Sequence, residues 1–564
     1  MNNFIRILRS KFKIHEIDGY IIPKNDEFFT EYSKINRLEI ISNFSGSAGL
    51  AIILKNKNYL FTDGRYSLQS KIESGKEFKI YGFEKLINCS LFKNLTLGID
   101  PKLFTNTQIK NYFLKYNKIK HIDKNLIDEI KQQRESNTVQ FFSLDKSIVG
   151  ESINSKIEKI SKYLKRHKSD YIFISAPENV AWILNIRGGD SPNSPVPNAR
   201  LIINKNKQIL LISNPNKCKK LLINKIIKKN EFLNVKNLPE KILKLKGKKI
   251  IVDDKSCSIF YERLIKSKFK IIKKKDPTYL LKAIKNKIEI KNMINAHILD
   301  GVALTRFLYW IKIINKKKIT EVEAAKKLEK FRKMNKSFLY PSFDTIAGSG
   351  KNGAIVHYRA KKENCKIINR KDIFLCDSGG QYKYGTTDVT RTICFSKQNQ
   401  NIKNIFTKVL KGHIAVAKTN INKDNTGKKI DKRARKFLNK SNLDYAHGTG
   451  HGVGFFLNVH EGPQSITKIN RVKIKEGMIL SNEPGYYKTN EYGIRIENLI
   501  YVKRKNKNLF FENLTMAPIE KDLINFNQLT LSEKNYLFKY HLEVYSKISK
   551  YLNVKERKWL ASFI

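Results

Sequence analysis

Phe374-Leu-Cys-Asp377 and Asp388-Val-Thr-Arg-Thr392, joined by the glycine-bearing stretch Ser378 to Thr387, are the segments on which the reading of this chain turns. The first is an apolar run ending in a carboxylate. The second alternates like a neighbouring strand and begins with another, so the two read as an antiparallel pair with two acids facing each other. Met478-Ile-Leu-Ser-Asn-Glu483 and Gly493-Ile-Arg-Ile-Glu497-Asn-Leu-Ile500 repeat the device, each a β-like run carrying one glutamate. Period-two alternation sets Arg495 and Glu497 on one face and Ile494 and Ile496 on the other. The four carboxylates are expected on segments able to share one sheet. Gathered in a partly buried site, they cannot all ionise unaided, and divalent cations relieve the repulsion.

Tyr445-Ala-His447-Gly-Thr-Gly-His451-Gly-Val-Gly454 supplies an imidazole to the acids. Glycine at every second position after His447 argues against a helical zinc motif and for an extended or looped segment. A dinucleotide fingerprint is excluded too, because Val453 and Phe455 stand where its last glycine should fall. His357 and His460 end two further apolar runs. Ten histidines occur in the whole chain, and four of them lie beside these acids. Carboxylates plus one imidazole suit a pair of Mn, Co, Zn or Fe ions.

Outward from this region, residues 286–312 carry apolar side chains at helical spacing (Met293, Ala296, Val302, Leu304, Phe307, Leu308), and a second helix is predicted after Thr320, with Glu321 and Glu323 at its positive end. Earlier, two segments look like copies of one α/β unit. Asp18-Gly-Tyr-Ile-Ile-Pro23 is followed by Ile41-Ser-Asn-Phe-Ser-Gly46, and Asp170-Tyr-Ile-Phe-Ile-Ser175 by Asn179-Val-Ala-Trp-Ile-Leu-Asn-Ile-Arg-Gly188. Ala51–Leu54 and Tyr59–Thr62 read as a hairpin. Polar stretches at 131–137 and 273–278 are taken as domain joints.

At 564 residues the chain exceeds a single core, and three or more domains are expected. No apolar run is long enough to span a membrane. Charged residues interrupt Met1 to Lys13, which reads as the first helix of a domain, with an amphipathic presequence as the alternative. Six cysteines without a paired motif fit a reducing compartment, and a cytoplasmic location is expected. The formal charge of +58 comes from lysines spread through the chain, which reads as compositional drift on solvated faces, with no specific nucleic-acid partner.

In order along the chain, Asn43-Phe-Ser-Gly-Ser-Ala-Gly49, Phe61-Thr-Asp-Gly-Arg-Tyr66, Asn185-Ile-Arg-Gly188, Lys282-Ala-Ile-Lys-Asn286, Ser342-Phe-Asp-Thr-Ile346, Asp377-Ser-Gly-Gly-Gln-Tyr382, Gly385-Thr-Thr-Asp-Val-Thr-Arg-Thr392, His447 to Gly454 and Ser481-Asn-Glu-Pro-Gly-Tyr-Tyr487 resemble the Xaa-Pro aminopeptidase (aminopeptidase P) family in its long three-domain form. The resemblance implies a mixed α/β and α+β chain: creatinase-like α/β domains at 1–135 and 136–278, a pita-bread catalytic domain at 279–507, and a C-terminal extension at 508–564. It implies two divalent ions, manganese first and cobalt or zinc as alternatives. Asp377 would bind one, Asp388 and Glu497 bridge both, and His451 and Glu483 hold the other. A hydroxide between the ions would attack the bond before proline, and Glu483 would carry the proton to the leaving nitrogen. His357, His447 and His460 are implied to face the substrate, as are Arg65 and Arg495. Peptides with proline second are the implied substrates, and a homodimer the implied assembly. Phe61 and Asn43 stand where family members often have Trp and Gly.

Two other readings remain open. One is a different hydrolase of the same fold, such as prolidase, creatinase or methionine aminopeptidase; the two extra α/β domains argue against the last. The other is a non-catalytic pita-bread protein that binds polyanions, a role suited to the charge, although such relatives lose metal ligands and all five positions are filled here.

Overall fold

The computed structural model describes residues 3–87, 91–132, 139–363 and 365–564. Cys89, the 135/136 boundary and most of the joint read at 131–137 lie outside these residues. The chain forms two compact units, Met1–Tyr279 and Leu280–Ile564.

The first unit holds two six-stranded mixed sheets of one topology. In spatial order the first runs Lys79–Gly82, Asn58–Thr62, Leu50–Leu54, Gly19–Pro23, Thr96–Ile99, Lys118–His121. The second runs Phe232–Asn234, Ile209–Ser213, Arg200–Asn204, Tyr171–Ile174, Lys249–Val252, Lys270–Lys273. All five pairings have matching directions in the two sheets: parallel, antiparallel, antiparallel, parallel, parallel. The predicted duplication extends to side chains. Asp18 and Asp170 each precede the strand that opens its sheet, and each accepts from the start of the neighbouring parallel strand, Thr96 N at 2.9 Å and Lys249 N at 3.1 Å. Each also pairs with a lysine of the adjoining hairpin, Lys55 and Lys205. The N-terminal helix Asn3–Ser10 buries Ile5 and Leu8 in the core of the first sheet, the behaviour of a domain's first helix. Asn43 follows helix Arg37–Ser42 in a left-handed conformation (φ 60°), where Asn is the best substitute for Gly, so that departure from the family string carries little strain.

In the second unit the long helix is Lys287–Tyr309, opened by a capping box of Asn286 and Glu289. Its six predicted apolar positions are all buried, each side chain contributing about 1.5–3 kcal/mol if it is as large as Val or Leu. Helix Glu321–Lys333 starts at Thr320 with a second capping box. These two helices pack on the sheet Ile346–Ser349, Ile373–Ser378, Val389–Cys394 through Leu304, Phe307, Ala324 and Leu328 against Phe374, Val389 and Ile393. Helices Gln400–Ala417 and Gly427–Asn439 pack likewise on a five-stranded sheet ordered Glu461–Ile466, Gly450–Gly452, Ile479–Asn482, Asn498–Lys505, Asn508–Asn513, through Val416, Ile430 and Ala434. A helix pair on each of two sheets is the pita-bread arrangement. Helices Leu531–Ile548 and Val554–Ala561 complete the unit. Among the described residues no helix is long and apolar enough to cross a membrane.

Candidate metal centre

Asp377 lies in strand Ile373–Ser378, opposite Thr390 of the antiparallel strand Val389–Cys394, and Asp388 immediately precedes that strand. The pairing is as predicted, but the connection is more than a turn: Gly380–Tyr382 and Gly385–Thr386 join Phe338–Pro341 in a separate sheet. Glu483 directly follows Ile479–Asn482, and Glu497 stands between Tyr492–Arg495 and Asn498–Lys505. The expectation of one shared sheet fails. The chain changes sheets at Glu497: Arg495 N donates to Thr392 Oγ1 (3.0 Å) and Glu497 N to Thr390 O (3.2 Å), whereas Asn498 already pairs with Asn482 in the five-stranded sheet. A strand that crosses between sheets delivers its glutamate to the gap where both end.

His451 sits in the short strand Gly450–Gly452. A Cβ on Gly450 would lie 2.0 Å from Ser481 O, and one on Gly452 would lie 2.4 Å from Glu461 O. The alternating glycines therefore let three strands approach more closely than any side chain permits. His451 Nδ1 faces Gly452 O at 2.9 Å, and a carbonyl only accepts, so the ring proton belongs on Nδ1. Its Nε2 lone pair then faces Asp388 Oδ2 at 3.4 Å and Glu483 Oε1 at 3.5 Å. One donor atom from each of Asp388, His451 and Glu497 falls within 4.8 Å of the others. Asp377 Oδ1 is buried and has no hydrogen-bond partner among the described residues.

This is a nest of acceptors short of donors, and divalent cations fit it by chemistry. The electrostatics agree. Burial first, then repulsion from Asp377 and Glu483, holds Asp388 well above the usual carboxylate range, and burial with repulsion from Asp388 and Glu483 does the same to Glu497. Burial also raises Asp377, against the pull of Arg495. Glu483 moves the other way: burial would raise it, but His451, His447, Arg495 and His460 together bring it below its ordinary value.

The surrounding groups fix orientation. Arg495 is buried, with Nη2 on Asp377 Oδ2 (2.6 Å), Nη1 on Tyr487 Oη (2.6 Å) and Nε on Thr390 Oγ1 (3.1 Å). Thr390 Oγ1 in turn donates to Glu497 Oε2 at 2.8 Å. Tyr487 Oη meets His447 Nε2 at 2.8 Å, and His447 Nδ1 donates to Gly448 O at 2.7 Å, so both ring nitrogens are occupied. Burial drops His447 to about 4, so it is neutral at pH 7. His460 lies edge-on to His451 with ring centroids 4.3 Å apart. His357 is half-buried and follows Val356, whose carbonyl accepts from Arg495 Nη1 at 3.4 Å. Arg65 belongs to the first unit, where two hydrogen bonds of 2.9 and 2.7 Å tie it to Asp63 and where it lines a pocket with Lys24 and Glu31.

Sequence reading passed over Arg435 and Asp431. Arg435 Nη2 holds His447 O at 2.7 Å, Nη1 holds Tyr445 O at 2.7 Å, and Asp431 binds both Arg435 and Thr449. Their four-residue spacing on helix Gly427–Asn439 is that of an exposed ion pair, and only the fold turns it inward.

Residues 291–504 match the model of metallopeptidase family M24, residues 130–289 that of the creatinase/prolidase N-terminal domain, and residues 507–562 that of the C-terminal region of the same peptidase family. The chain belongs to metallopeptidase family M24. Within that family it is 37% identical to the Laccaria bicolor protein named "Probable Xaa-Pro aminopeptidase P", over 98% of this chain and 91% of the other. It is 37% identical to Xaa-Pro aminopeptidase 1 of Dictyostelium discoideum, over 99% and 95%. The crystal structure of X-prolyl aminopeptidase from Caenorhabditis elegans, described as a cytosolic enzyme with a di-nuclear active site, superposes with a TM-score of 0.91 at 28% identity, covering 99% of this chain and 98% of that one. The prolidase of Pyrococcus horikoshii is 27% identical with a TM-score of 0.52 and covers 65% of this chain.

Proposed function

We infer that this chain is a metal-dependent aminopeptidase that cleaves the bond between an N-terminal residue and a penultimate proline, with Asp377, Asp388, His451, Glu483 and Glu497 holding two divalent ions. The observation that carries the metal assignment is the Nε2 lone pair of His451 facing carboxylate oxygens of Asp388 and Glu483, acceptor against acceptor. Oxygen donors with a single imidazole suit manganese first, and cobalt or zinc next. When bound, such ions polarise a carbonyl and lower the pKa of a water molecule.

The chain's own groups supply the rest. Glu483, held below its ordinary pKa, is ionised at neutral pH and able to take a proton from the attacking water and deliver it to the proline nitrogen. That delivery matters because the nitrogen before cleavage carries no hydrogen and its ring fixes the backbone, which ordinary peptidase clefts fit poorly. Arg495 and Thr390 keep Asp377 and Glu497 from rotating away. Burial keeps His447 neutral, and Tyr487 and the Gly448 carbonyl fix its tautomer. His357 and His460 complete the substrate-facing wall, and Arg65 is assigned to the peptide.

Identity along the whole chain supports an aminopeptidase over a prolidase. The full-length relatives carry the Xaa-Pro aminopeptidase name, and the prolidase match leaves about a third of this chain uncovered. The segments 1–135, 136–278, 279–507 and 508–564 are assigned as domains, the assembly as a homodimer, and the location as the cytoplasm. The test is a chelator-stripped protein given Mn, Co or Zn and assayed on Arg-Pro-Pro and Gly-Pro side by side. Metal-restored cleavage of the tripeptide with the dipeptide spared is expected; the reverse selectivity makes it a prolidase.

A further inference from the structure

Arg391 is 1% exposed, yet among the described residues none of its hydrogen bonds goes to a carboxylate. Its guanidinium is consumed by neutral acceptors: Nη1 donates to Glu497 O (2.6 Å) and Thr390 O (2.9 Å), Nε to Pro518 O (2.8 Å), and Nη2 to Asn498 Oδ1 (2.8 Å), Ala517 O (2.8 Å) and Tyr540 Oη (3.0 Å). A buried cation without a contacting anion is costly to retain, and arginine does not escape by losing its proton. The six acceptors explain its retention: one, Tyr540 Oη, lies on helix Leu531–Ile548, and the other five belong to three segments that Arg391 bridges at one point. The first is the strand bearing Thr390, whose hydroxyl holds the Glu497 carboxylate. The second is the sheet crossing Glu497–Asn498. The third is the turn at 517–518, beyond the catalytic sheets.

Helix Leu531–Ile548 secures that turn. Tyr540 Oη donates to Ala517 O at 2.7 Å while accepting from Arg391, and His541 Nε2 accepts from Ile519 N at 3.1 Å. Two consecutive helical residues thus hold the 517–519 segment, and Arg391 passes that constraint to the backbone of Glu497.

We propose that Arg391 is the positioning residue for Glu497 and that the C-terminal segment, through Ala517, Pro518 and Tyr540, belongs to the metal-holding apparatus of this chain. This rests on the assignment of Glu497 as a metal ligand. Partners outside the ligand set set ligand orientation, and their loss commonly weakens metal binding by about 10–100-fold.

The full-length protein, stripped and then titrated with Mn(II), is followed by calorimetry and by the electron paramagnetic resonance of the bound ions. Arg391→Lys is expected to weaken the site bridged by Glu497 by about 10–100-fold and to convert the signal of a coupled pair into that of an isolated ion. Tyr540→Phe, which keeps the ring and loses the hydroxyl that donates to Ala517 O and accepts from Arg391, is expected to weaken binding roughly tenfold, and keeps the question answerable if the lysine variant does not fold. Arg370→Lys is the control. That arginine holds the carbonyls of Ile311, Lys312 and Asn315, so its loss should lower the melting temperature without moving metal affinity. Parental affinity in both Arg391→Lys and Tyr540→Phe overturns the proposal, as does equal weakening in Arg370→Lys. A parent that takes up no manganese removes the metal assignment itself, a separate and distinguishable failure.

Discussion

Stripping metal from this protein should make its stability fall as pH rises, and the size of the effect follows from the cluster. Donor atoms of Asp388 and Glu497 lie within 4.8 Å of each other. Two unit charges at that separation repel by at least about 3.5 kcal/mol at an effective dielectric of 20. Both groups have folded-state pKa values raised above their unfolded values by burial and mutual repulsion. The stabilisation they give while protonated is complete below the unfolded pKa and is lost as pH rises through the folded one. Depressed histidines such as His413 and His541 contribute with the opposite sign, but they are present in stripped and loaded protein alike, so the difference between the two isolates the carboxylates. Relative to the metal-loaded protein, the stripped protein should therefore lose about 3.5 kcal/mol as pH rises from the unfolded carboxylate range, about 4, through the raised folded values. Added Mn(II) should restore it, with protons released on binding. Scanning calorimetry from pH 5 to pH 9, with and without metal, measures the difference. A gap in melting temperature between loaded and stripped protein that does not widen with pH would refute the picture of a cluster of uncompensated acids.

On the acid side the sign reverses. Burial depresses His413 to about 3 and His541 to about 4, so their contribution is complete above the unfolded pKa and is lost as pH falls toward those values. At pH 5 each should cost about 2 kcal/mol, which urea denaturation at pH 7 and pH 5 will show, with a shallower slope in His541→Gln. Tyr487→Phe removes the hydroxyl shared by His447 and Arg495, so kcat on Arg-Pro-Pro should fall about 10–100-fold while the melting temperature stays within a few degrees. Gly450→Ala would set a Cβ 2.0 Å from Ser481 O; the strand that carries His451 must shift, and metal binding should fail along with about 1–3 kcal/mol of stability by calorimetry.

The elements legible in the sequence are those whose causes are local. Asn286 with Glu289, and Thr320 with Glu323, are capping boxes readable at three-residue spacing, and both helices begin there. The duplication was legible because Asp18 and Asp170 precede similar apolar runs, and both sheets grow around those runs. The acids were found one by one because each closes or opens a β-like run. Their arrangement was not, because strand alternation says nothing about a chain that leaves one sheet for another, as this one does at Glu497. Arg435 and Arg391 were hidden for a related reason: the carbonyls they hold lie 10 and 12 residues away in one case and, Thr390 apart, more than 100 in the other, and a backbone carbonyl carries no mark in a sequence.

Anomalous diffraction at the manganese edge, from crystals of the full-length protein grown with excess Mn(II), tests the central claim most directly. Two peaks enclosed by Asp377, Asp388, His451, Glu483 and Glu497 are expected. No peak there, or a peak only at the other acid-and-thiol cluster of Cys394, Glu520 and Asp522, would contradict it.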